Sequence, residues 1–103
     1  MTELTLPKKV KVGDKWYSVE VVEAMKDKDD MGRVHYPEQK IKIGLRNNRT
    51  GRKFSSESVK ETFWHELVHA ILADMREHKL NNREDFVEGF ASRLAIAIES
   101  ARF

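Results

Sequence analysis

IKIGLRNNRTGRKFSSESVKETFWHELVHAILADM, residues 41–75, contains the change of period on which the fold turns. Ile41, Ile43 and Leu45 alternate with Lys42 and Gly44, the pattern of a half-buried strand. Asn47 to Ser55 is rich in Asn, Gly, Thr and Ser and reads as a loop. From there the apolar residues recur three and four apart. Val59, Phe63, Leu67, Ala70, Ile71 and Met75 make one stripe of a long helix. Ser58 followed three residues later by Glu61 is a capping-box signature for its start, with Ser55 or Ser56 as alternative caps.

Upstream, the period of two continues. Lys9-Val10-Lys11-Val12 alternates, Gly13-Asp14 signals a hairpin turn, and Tyr17, Val19 and Val21 extend the pattern. Met25 to Gly32 is polar and charge-rich, hence a loop; Val34 and Tyr36 then lead into a turn at Pro37-Glu38-Gln39-Lys40. Downstream, the first helix is expected to fade near His78-Lys79, before Asn81-Asn82. Asn82 is the expected cap of a second helix, with Glu84 and Asp85 favourable in its first turn. Phe86, Phe90, Leu94 and Ile98 form its main stripe, broadened by Ala91, Ala95 and Ala97. Strands followed by helices imply an α+β fold: a small, mostly antiparallel sheet from the N-terminal half packed against two C-terminal helices.

The chain of 103 residues is sized for one domain, spanning 1–103. It contains no cysteine, so disulfides and thiolate metal sites are excluded, and a transition-metal site must use His and carboxylates. The start, Met1 to Pro7, lacks the apolar core of a signal peptide, and no apolar run has the length of a membrane span. Cytoplasmic is the default expectation. The net charge of +2 is uneven, with 13 Lys/Arg against 8 Asp/Glu in residues 1–54 and 6 against 9 in residues 55–103. Arg46, Arg49, Arg52 and Lys53 fall in a Gly/Asn-containing loop and read as solvated loop residues rather than a nucleic-acid surface.

His65-Glu66-Leu67-Val68-His69 carries the chemistry. Helical residues four apart lie one above the other, so both imidazoles can meet a single zinc ion. Glu66 then lies beside the metal rather than on it, placed to take a proton from zinc-bound water. A catalytic zinc needs a third protein ligand and an open position. The next helix offers Glu84, Asp85 and Glu88. Glu88 has the best position, on a row with Ala91 and Ala95, and Asp85 is the fallback. The plain alternative for Glu88 is a half-exposed carboxylate paired with Lys60 or Arg93.

His65 to Leu72, followed by Glu88 to Ala95, resembles the zinc-binding core of the gluzincin metallopeptidases. It looks closest to their smallest, often phage- or prokaryote-encoded members: minigluzincins and SprT-like or ImmA/IrrE-like proteins. Gly32-Arg33-Val34-His35-Tyr36 and Gln39 to Ile43 resemble the hairpin that precedes the metal helix in that group. The resemblance implies a minimal zincin-like fold and a Zn2+ held by His65, His69 and Glu88. It further implies Glu66 as general base and a peptide or protein substrate added as a strand to a sheet edge. For the group's second electrophile the candidate is Tyr36, with His35 and His78 as alternatives. The expected function is a zinc-dependent peptidase, slow or latent given the small size. The alternative is a non-catalytic, zinc-stabilised regulatory or partner-binding module.

Overall fold

The computed structural model describes residues 6–27 and 30–103. Met1 to Thr5, part of the stretch read for a leader core, lie outside the described residues, as do residues 28 and 29 of the polar loop. The alternating segments become β1 (Lys9–Val12), β2 (Lys15–Ala24), β3 (Gly32–His35) and β4 (Lys40–Arg46), in the spatial order β1-β2-β4-β3. Gly13 turns the first hairpin with φ of 58°, a left-handed conformation that glycine adopts without Cβ strain.

Both hairpins are antiparallel, but β2 and β4 run parallel, with Val19 opposite Ile41 and Val21 opposite Ile43. The expected mostly antiparallel sheet is therefore mixed. Connectivity is the reason: β2 leads to β3 at the edge, and the following hairpin returns β4 into the gap beside β2. A strand antiparallel to β3 there must run parallel to β2. That leaves β3 with one edge unpaired among the described residues.

The period of 3.6 builds α1 (Ser56–Asp74), a short α2 (His78–Asn81) and α3 (Glu84–Ser100). Ser55, one of the alternative caps, closes α1: its hydroxyl accepts from the Ser58 N–H at 3.1 Å. At the other end α1 stops at Asp74, short of His78-Lys79. Arg76 takes a left-handed φ of 60°, its N–H donates to Ala73 O at 3.0 Å, and the Glu77 N–H donates to Leu72 O at 2.9 Å. This is a Schellman termination built without glycine. Asn82, the expected cap of the second helix, instead closes α2, and α3 follows from Arg83 with no side-chain cap.

Three layers result. Val59, Phe63, Leu67 and Ala70 of α1 pack on Val12, Tyr17, Ile41 and Ile43 of the sheet. Val68 and Leu72 pack on Val87 and Ala91 of α3. α1 is thus covered on two sides, and α3 docks on α1 rather than on the sheet. The expected Phe86–Ile98 stripe is buried only in part: Phe86 and Leu94 pack against the α1–α3 core. Phe90 and Ile98 are half-exposed, while Val87, Ala91 and Ala95 face inward. A helix that meets one neighbour needs only a narrow face, and small residues there let the two axes approach closely. No helix among the described residues is long and apolar enough to cross a membrane.

Candidate metal centre

The close approach of α1 to β3 positions the site. A Cβ built on Gly32 would lie 2.6 Å from Thr62 Cγ2 and 3.2 Å from Glu66 Cγ. Only glycine lets the strand run this near the helix, and that proximity brings the Glu66 turn of α1 against the sheet edge. A cleft of about 560 Å³ opens there, lined by Gly32 and Arg33 of β3, by Thr62, His65, Glu66 and His69 of α1, and by Glu84 and Glu88 of α3.

The imidazoles meet as the spacing predicts, with ring centroids 4.9 Å apart and planes inclined by 66°. Between them lies the carboxylate of Glu84: Oε2 is 3.0 Å from His65 Nε2, and Oε1 is 3.0 Å from His69 Nε2. One ligand atom from each of the three residues falls within 4.8 Å of the others. A tetrahedral ion with bonds near 2.0 Å would set its ligand atoms about 3.3 Å apart, a spacing near the two Glu84–imidazole separations of 3.0 Å, so the cluster could hold such an ion. The donor set of two imidazoles and a carboxylate also suits zinc.

The third member of the converging set differs from the sequence reading. Glu88 lines the same cleft one turn along α3 but stands outside the converging set, and both it and Glu84 are exposed. Glu84, Glu88, Ala91 and Ala95 share one row of α3 facing α1, and Glu84 is its first member. The row was visible in the sequence; which turn of it met the histidines depends on the axial offset between α1 and α3, which spacing does not encode. Asp85, the fallback, is engaged elsewhere: the Arg83 guanidinium grips it at 2.8 and 3.3 Å and holds its carboxyl below the ordinary aspartate range.

Glu66 is half-buried between α1 and β3, and burial pushes its carboxyl from 4.5 up to about 7. His69 and Arg33 oppose that rise, while Glu84 and Asp30 reinforce it. A carboxylate so placed is a proton acceptor matched to neutral pH. The candidate electrophile fares differently. Tyr36 follows β3, is exposed, and its hydroxyl accepts from Asn81 Nδ2 at 3.4 Å. None of Tyr36, His35 and His78 is among the residues lining the cleft. Arg33 is the cation that does line it, held by Asp30 at 2.5 Å and by Asp27 at 3.3 Å.

Trp64 sits between Phe63 and His65 in α1. It packs edge-on to Phe63, and its indole N–H donates to Glu99 Oε2 of α3 at 3.3 Å. The residue that sequence reasoning missed is Asn81, whose Oδ1 lies 2.5 Å from His69 Nδ1. No family model, curated protein or solved structure matches the chain.

Proposed function

We propose that the chain is a zinc-dependent peptidase domain, with His65, His69 and Glu84 as metal ligands and Glu66 as general base. The observation that carries the reading is the Glu84 carboxylate lying 3.0 Å from both Nε2 atoms of a helical His-Glu-x-x-His pair. Bound zinc would supply a Lewis acid that polarises a carbonyl and brings the pKa of water toward 7. The chain's own residues would do the rest. The unpaired edge of β3 would pair with an extended peptide, laying its backbone across the cleft beside Glu66. Glu66 would take the proton of the attacking water and pass it to the leaving amine.

The experiment is hydrolysis of a broad peptide library by wild type and by Glu66→Gln. Chelator-sensitive cleavage by wild type, lost in Glu66→Gln while zinc is retained, supports the assignment. Undiminished hydrolysis by the variant would remove Glu66 as the base. A second reading, a metal-stabilised module without turnover, is favoured by the absence of Tyr36, His35 and His78 from the cleft lining. Stoichiometric zinc in a folded protein that cleaves no library member would select it.

A further inference from the structure

Asn81 ends the short helix α2, where its backbone N–H donates to Glu77 O at 2.9 Å. Its side-chain Oδ1 lies 2.5 Å from His69 Nδ1, and its Nδ2 donates to the Tyr36 hydroxyl at 3.4 Å. A carbonyl oxygen only accepts, so the ring nitrogen facing it carries the proton. A neutral imidazole has one N–H; with it on Nδ1, the lone pair resides on Nε2. That lone pair points at Glu84 Oε1, 3.0 Å away. Two acceptors at that separation repel unless a proton or a metal ion lies between them. Asn81 therefore presents His69 in the form that a metal requires.

We propose that Asn81 is a positioning residue that fixes the tautomer and ring orientation of His69. The inference rests on the metal-centre reading above. The His69 side chain is only 13% exposed, so little water is at hand to replace the lost acceptor. Outer partners of this kind typically change metal affinity by about 10–100-fold when removed.

The test is zinc affinity, measured by competition with a chromophoric chelator, on wild type, Asn81→Ala and Asn81→Asp. Asn81→Ala is expected to bind zinc roughly 10–100-fold more weakly. Asn81→Asp is expected to recover most of that loss, because a carboxylate oxygen again accepts from Nδ1–H. A residue serving the fold alone would lower thermal stability and leave affinity unmoved. Long-range proton–nitrogen NMR of the zinc-loaded wild type needs no variant and should find the His69 proton on Nδ1. Unchanged affinity in Asn81→Ala, an Asn81→Asp no better than Asn81→Ala, or a proton on Nε2 would each overturn the inference while leaving the metal centre intact. A wild type that takes up no zinc overturns both together.

Discussion

Gly32 and Thr62 stand so close across the β3–α1 boundary that a methyl group on the glycine would lie 2.6 Å from Thr62 Cγ2. Thr62 cannot easily yield: it is buried, and its hydroxyl donates to Ser58 O at 2.9 Å. Gly32→Ala is therefore expected to destabilise the fold by about 1–3 kcal/mol, the usual cost of overpacking. Because β3 would have to move off α1, cleavage should fall by more than zinc affinity does. Denaturant unfolding and chelator competition on the same variant check this; an unchanged unfolding midpoint contradicts it.

Glu84 and Glu88 are one turn apart on the row of α3 that faces α1. Only Glu84 reaches the imidazoles. Zinc affinity should therefore fall far more in Glu84→Ala than in Glu88→Ala, by roughly tenfold or more for loss of a ligand against little for a residue at the cleft wall. Chelator competition on both variants decides it. The reverse order would move the third ligand to Glu88.

Glu66 makes the metal-free protein sensitive to pH in a definite sense. Its folded carboxyl titrates at about 7 against 4.5 when unperturbed, so between these values the native state binds more protons than the unfolded chain. Stability then falls as pH rises through that window, at up to about 1.4 kcal/mol per unit. The Glu66 contribution is fully present below pH 4.5 and is lost above about 7. Comparing urea midpoints of chelator-treated wild type and Glu66→Gln from pH 4.5 to 7.5 isolates it. The variant should lack this component; parallel curves would contradict the burial argument.

Ser55 caps α1 through its hydroxyl and the Ser58 N–H. Ser55→Ala should cost about 1 kcal/mol, whereas Ser58→Ala should cost less as far as capping is concerned. Thermal unfolding of the two variants tests the ordering, and the opposite order would restore Ser58 as the cap.

The elements whose cues are local were legible before any coordinates. Ile41-Lys42-Ile43 could be assigned to a strand and Phe63 to Ile71 to a helix, because each pattern holds within a few residues. The pairing of His65 with His69 followed from helix geometry alone. Three features were not legible. The end of α1 rests on Arg76 in a left-handed conformation, so the glycine that normally marks such a stop is absent. The parallel pairing of β2 with β4 depends on where a hairpin inserts, which no period records. The choice of Glu84 over Glu88 and the contact of Asn81 with His69 depend on how α2 and α3 sit along α1. Those are tertiary offsets, written in packing rather than in spacing.

The proposed function requires two imidazoles of α1 and a carboxylate of α3 to close around one metal ion. Elemental analysis of the purified wild type, dialysed against zinc and then against metal-free buffer, tests it most directly, with His69→Ala as control. One zinc per chain is expected in wild type, with loss of it in His69→Ala. A folded wild type with no stoichiometric zinc, or a His69→Ala variant that retains it, would contradict the proposal.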